Sequence, residues 1–174
     1  MKVVALTPSD APRYRTLMLH AYEAAADAFT STAVERAAEP ASWWVRRIAD
    51  PEGLSQALGA FVDGELIGTV TVEFSAKPKT RHKAHLIGMF VHESARRIGA
   101  GQCLMQEALA MAAARPGLRV VTLTVTEGNA PAIRLYEAFG FKSFGVEPMA
   151  IATPDGFLSK VHMGLQLRGG LAAV

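Results

Sequence analysis

The chain has 174 residues, half of them hydrophobic and 20% charged, with a formal net charge of +2. That length fits one domain, and the apolar content is enough for a core, which excludes a disordered chain. The charge is too mild to mark a nucleic-acid surface, and no apolar run approaches membrane-spanning length. Residues 2–6 (KVVAL) read as a first strand. Pro8, Ser9 and Asp10 then open a helix running to about Phe29. A second helix is expected from about Thr32 to Ile48, interrupted or bent near Pro40 and carrying Trp43 and Trp44. After a break at ADPEG, two strands (from Ala57 and from Glu65) flank a hairpin turn at Asp63, Gly64 and Glu65.

A polar basic loop follows at residues 75–83. HLIGMFV (85–91) is a buried-type strand, and CLMQEALAMAAA (103–114) is a helix ended by Arg115, Pro116 and Gly117. LRVVTLTV (118–125) is a further strand. PAIRLYEAFG carries Pro131 in a first helical turn and Gly140 just past the end. FKSFGVEPMAI and FLSKVHMGLQL form a last pair of strands around Pro154–Gly156. The tail 168–174 is expected to fray. This order predicts an α+β single domain over 1–174, with one mixed, mostly antiparallel sheet of about seven strands and about four helices.

Cys103 is the sole cysteine, which excludes an internal disulfide or a cysteine metal cluster. His20, His82, His85, His92 and His162 show no paired metal spacing, so no metal is expected. MKVVALTPSD is too short in apolar length for a signal peptide, so a cytoplasmic location is expected.

RRIGAG (96–101) lies between a strand and a helix. Glycines let the main chain approach a ligand closely, and a helix start presents unpaired N–H groups that favour an anion. No G-K-[ST] follows, and no G-x-G-x-x-G ends the first strand, so neither a Walker loop nor a dinucleotide fold is indicated. Read alone, the stretch also fits a tight turn.

Two segments together resemble the GCN5-related N-acetyltransferase (GNAT) family. In residues 85–109, Arg96, Gly99 and Gly101 fill the pattern [RQ]-x-x-G-x-[GA] after a strand and at the start of a helix. In residues 125–145, Asn129, Ala132, Tyr136, Gly140 and Phe141 fill N-x-x-A-x-x-x-Y-x-x-x-G-F. Glu93 and Arg97 depart from the proline and glycine that many members carry there.

The resemblance implies an acetyl-CoA-dependent N-acetyltransferase acting by direct attack of an amine. It places the pyrophosphate over Arg97, Ile98, Gly99, Ala100, Gly101 and Gln102, beside Arg96, and the pantetheine arm along Met89, Phe90 and Val91. Asn129 and Ala132 border the same site, with Asn129 also able to cap its helix. Tyr136 is the expected acid at the sulfur. Glu73, His85 and Glu127 are alternative general bases, each with the plainer reading of a solvated edge residue. Phe29, Trp43 and Trp44 are candidate substrate contacts, though at least one tryptophan reads as core. The expected acceptor is a small-molecule amine. A lysine or protein N-terminus, or a non-catalytic acyl-CoA sensor, remain alternatives. The sheet edge also suits a homodimer.

Overall fold

The computed structural model describes residues 1–167. The expected frayed tail, 168–174, lies outside the described residues. Runs rich in valine, threonine and isoleucine form seven strands: β1 Lys2–Ala5, β2 Ser55–Val62, β3 Glu65–Phe74, β4 Lys83–Val91, β5 Val120–Thr126, β6 Lys142–Thr153 and β7 Gly156–Gln166. They make one sheet in the order β1-β2-β3-β4-β5-β7-β6. Only β4 and β5 pair in parallel; the other neighbours are antiparallel. A mixed, mostly antiparallel sheet is what the sequence predicts.

Five α-helices flank it, one more than expected: α1 Ala11–Ala24, α2 Ala33–Ala37, α3 Ala41–Ile48, α4 Ala100–Ala114 and α5 Ala130–Ala138. The extra helix comes from the predicted 32–48 segment, which is interrupted at Pro40, one of the two outcomes expected there. Pro40 has no N–H and pushes Glu39 away from helical backbone, so it serves as the N-cap of α3. The short α2 is held by a capping box between Thr32 and Glu35. Arg15 on α1 also donates to the carbonyl oxygen of Ala37 at 3.1 Å. Helix α1 ends at Ala24, short of Phe29, and a single 3-10 turn at Ala26–Ala28 follows. The Thr126 hydroxyl at the end of β5 donates to the Asp27 carbonyl at 2.6 Å and anchors that turn.

Alternation along the strands sends side chains into two cores, one on each face of the sheet. Leu58, Val70, Val72 and Leu86 meet Leu104, Met105 and Tyr136 from α4 and α5. Leu6, Ala57 and Phe90 meet Tyr14, Met18, Trp44 and Ile48 from α1 and α3. The β6–β7 arm differs from the rest: Phe144, Val146, Met149 and Phe157 are all more than half exposed.

Candidate active site

The parallel strands β4 and β5 pair only from Lys83–Val120 to Leu86–Leu123. Both run on, to Val91 and Thr126, but part from each other. A bulge in β4 drives them apart. Thr69 faces Phe90 and Thr71 faces Ile87, so Gly88 and Met89 together stand opposite Val70. Gly88 takes a left-handed φ of 60°, which a residue with a Cβ adopts only with strain. The parting opens a cleft of about 1150 Å³ between the strands. Backbone N–H and C=O groups along its β4 side are left for a ligand that lies there as an extra strand.

The glycine stretch forms one end of this cleft. Arg97 and Gly99 have φ of 67° and 83°, which turns the chain so that Gly99 caps the 15-residue α4. The first intrahelical bond at this cap is from the Cys103 N–H to the Gly99 carbonyl, at 3.0 Å. The N–H groups before Cys103 therefore keep no helical acceptor, as at any helix start. Gly101 sits in a close-packed spot. A Cβ there would lie 3.3 Å from Leu135 Cδ2 and 3.5 Å from Met89 Cε. Arg96, Arg97, Gly99, Ala100, Gly101 and Gln102 line the cleft. Ile98 does not; its side chain is half exposed outside it. Glu93 sets no carboxylate against this loop: His20 on α1 takes it up, Nε2 to the two oxygens at 2.9 and 3.0 Å. That hydrogen bond holds the Glu93 carboxyl below the usual carboxylate range.

Tyr136 on α5 reaches the cleft from beside Leu123 and Val125, and its ring lies 6.1 Å from that of Phe141. Burial alone pushes its phenol up to about 12. The phenol stays protonated through the whole working range of pH. Asn129 caps α5 by accepting the Ala132 N–H with its side-chain oxygen at 3.3 Å. That bond uses the oxygen and leaves the amide NH₂ available, so capping and contact with a ligand are compatible. Asn129 and Ala132 both line the cleft.

The three base candidates separate. His85 lines the cleft; Glu73 and Glu127 do not. Glu73 is turned to Arg47, with 3.2 Å between Oε1 and Nη1. Glu127 follows β5 and borders a separate, shallower depression with Asp27 and Leu158. His85 Nδ1 is 2.8 Å from Thr122 Oγ1, and that hydroxyl donates to the Ala84 carbonyl at 3.3 Å. The hydroxyl has one proton, so its oxygen accepts Nδ1–H and the lone pair of the ring is on Nε2. Burial lowers the His85 pKa. The Glu73 charge opposes this, and the His162 and Lys160 charges add to it.

The substrate candidates separate as well. Phe29 lines the cleft beside Tyr22. Trp44 is buried in the core against Tyr14, not in the cleft. Its place on the apolar face of α3 is the reason. Trp43 is likewise outside the cleft lining, stacked under two arginines that are inside it, Arg36 and Arg47. The sequence reading missed those arginines, and also Glu147 and Lys160, which face each other across β6 and β7 at the cleft edge. Arg36 and Arg47 flank a tryptophan at helical spacing, which is the one trace of them in the sequence. Nothing local marks Glu147 and Lys160, because strand pairing brings them there.

The fold and this cleft define a class. A model of the acetyltransferase (GNAT) family matches residues 18–141, and the chain belongs to that family. The L-amino acid N-acetyltransferase AaaT of Escherichia coli (strain K12) is 33% identical over 102 residues, 59% of this chain and 62% of that protein. An N-alpha-acetyltransferase of Sulfurisphaera tokodaii is 33% identical over 94 residues, 50% of this chain and 56% of that one. The match thus spans about three fifths of these curated relatives. The structure of yncA, a putative acetyltransferase from Salmonella typhimurium with its cofactor acetyl-CoA, superposes with a TM-score of 0.81 at 21% identity, covering 100% of this chain and 98% of that one. No helix among the described residues is long and apolar enough to cross a membrane.

Proposed function

We propose that the protein transfers an acetyl group from acetyl-CoA to a primary amine of a small molecule, by direct attack within the β4–β5 cleft. The observation that carries this is the parting of β4 and β5 after Leu86 and Leu123, with Tyr136 and His85 lining the gap. The residues present fit acetyl-CoA. Unpaired N–H groups at the start of α4 suit its pyrophosphate, with Arg96 and Arg97 adding positive charge. The free edge of β4 at Met89, Phe90 and Val91 suits an amide-bearing arm. When bound, acetyl-CoA supplies the acetyl group as an activated thioester.

Each of the chain's own groups has a task. His85, neutral at pH 7, takes a proton at Nε2 from the attacking ammonium, directly or through one water. A backbone N–H at the Gly88–Met89 bulge is placed to hold negative charge on an oxygen. Tyr136 donates its O–H toward the departing sulfur. With its pKa near 12, the phenol acts first as a hydrogen-bond donor. It gives up its proton only as charge on sulfur becomes full, and the second proton that the nitrogen sheds on becoming an amide restores the phenol through water.

CoA thiol release against pools of amino acids, polyamines, aminoglycosides, arylamines and short peptides tests the reading. Release that depends on one pool is the expected result. Tight acetyl-CoA binding with no release from any pool would instead make the domain a sensor.

A further inference from the structure

We infer that Arg36 and Arg47 form a carboxylate-binding subsite, so that the acceptor is an α-amino acid rather than a simple amine or a peptide. This rests on the acetyl-transfer reading above and names its substrate class. The two arginines come from different helices, α2 and α3, yet line the same cleft as His85, Met89 and Tyr136. Trp43 holds both guanidinium groups over its indole, with their carbons 4.7 and 5.5 Å from the ring centroid. Stacking of this kind fixes the plane of a guanidinium and the direction of its donors.

Their hydrogen bonds are incomplete. Arg36 donates from Nη1 to Glu39 at 3.3 Å and from Nη2 to Ser31 at 2.7 Å. Arg47 donates from Nη1 to Glu73 at 3.2 Å. The Nε–H of each is buried with no acceptor. A guanidinium carries five N–H donors in a fixed fork, and a buried donor left unpaired is costly. A planar anion with two oxygens is the ligand that such forks complement. Each arginine also keeps a carboxylate partner of its own, which holds its guanidinium in place at the cleft wall. Tyr22 lines the cleft beside them. Burial raises its pKa against the opposing charges of Arg47 and Arg36, so its hydroxyl remains a donor.

The subsite stands beside the proposed base. Glu73, which holds Arg47, is the cross-strand partner of His85 in the β3–β4 register. Cross-strand neighbours lie about 5 Å apart at Cβ. A carboxylate at Arg36 and Arg47 therefore brings an amine one carbon away toward His85. A simple amine has no anion to set against the two guanidinium groups. A peptide N-terminus puts an uncharged amide where the carboxylate belongs.

The test sets a panel of L-amino acids against the α-carboxamide of each, in turnover with acetyl-CoA and in calorimetric binding to the CoA-bound protein. Removing the carboxylate makes the amine less basic and chemically readier, so a preference for the acid reports recognition. We expect at least one acid to exceed its carboxamide by about 100-fold in kcat/KM. Arg36→Gln and Arg47→Gln should each cut that acid-over-amide ratio by about 10- to 100-fold. Acetyl-CoA affinity serves as the check that the variants fold, and Arg47→Lys should recover only part of the ratio, because it keeps the charge but not the fork. Equal use of acids and carboxamides by the wild type would overturn the inference while leaving acetyl transfer intact. So would a preference for short peptides, or an unchanged ratio in both glutamine variants. Should no amine turn over, the transfer reading fails alone if acids bind and carboxamides do not. Both readings fail if neither binds.

Discussion

In the proposed transfer Tyr136 and His85 carry opposite duties, with pKa values moved by the same cause. Burial raises the phenol and lowers the imidazole, in each case favouring the neutral form. One neutral group then gives a proton and the other takes one. Tyr136→Phe removes the donor without changing the ring, and we expect turnover to fall about 100-fold. Acetyl-CoA affinity, measured by calorimetry, should change less than about threefold, because the proposed phosphate and arm contacts come from backbone elsewhere. Unchanged turnover would remove Tyr136 from the chemistry. His85 predicts a pH dependence. Its folded pKa is depressed below the ordinary histidine value of 6.5, so the folded state resists the proton that the unfolded chain accepts. The neutral base is fully present above pH 6.5, and both its activity and its contribution to stability are lost as pH falls below that. The acid limb of the kcat/KM profile should lie below 6.5 and vanish in His85→Gln, which should also lose about 100-fold in rate.

How far such residues can be found in a sequence depends on how local their signal is. Arg96, Gly99, Gly101, Asn129 and Tyr136 lie in two contiguous patterns, each governed by one strand-to-helix or loop-to-helix turn, and all five line one cleft. The base was not legible in that way. Glu73, His85 and Glu127 look alike as polar residues on strands, and only the pairing of Glu73 with Arg47 and of His85 with Thr122 distinguishes them. Which of Trp43 and Trp44 is core was not legible, because tryptophans lining a pocket and tryptophans filling a core share one composition.

At the scale of elements, the bulge in β4 decides whether a cleft exists. An insertion of one residue opposite Val70 ends the regular β4 pairing and lets β5 diverge. Gly88 makes the bulge affordable with its φ of 60°. A Cβ at that position would meet nothing closer than Tyr14 Oη at 3.7 Å, so the strain in Gly88→Ala is in the backbone alone. We expect that substitution to cost about 1–2 kcal/mol in thermal unfolding. Acetyl-CoA affinity should fall beyond what stability explains, as the bulge relaxes toward regular pairing. Equal stability with unaltered affinity would mean that the bulge is set by other residues. The same scale explains why the helices were only partly legible. Apolar spacing continues through Pro40, yet the missing N–H divides the segment into α2 and α3. That division is what lets Arg36 and Arg47 approach from separate helices.

In the whole molecule, the sheet separates two tasks. The core against α4 and α5 supports the proposed cofactor side, with the glycine stretch and Tyr136 on elements packed around Leu104 and Met105. The core against α1 and α3 supports the proposed acceptor side, with Trp44 buried beneath Trp43 and the two arginines above it. The cleft through the sheet joins them. The element order was readable because turns and strand patterns are local, and it matches the expected α+β sheet. The convergence of α2, α3 and β7 on the cleft was not, since it depends on long-range packing.

The claim that binds these scales together is that acetyl-CoA occupies the gap between β4 and β5. Amide hydrogen exchange with and without acetyl-CoA measures it directly and needs no knowledge of the acceptor. We predict new protection confined to residues 87–91 and 97–103, where a ligand would take up the free N–H groups of the bulged strand and of the α4 start. Binding without protection at these two segments, or protection centred elsewhere in the sheet, would contradict the account.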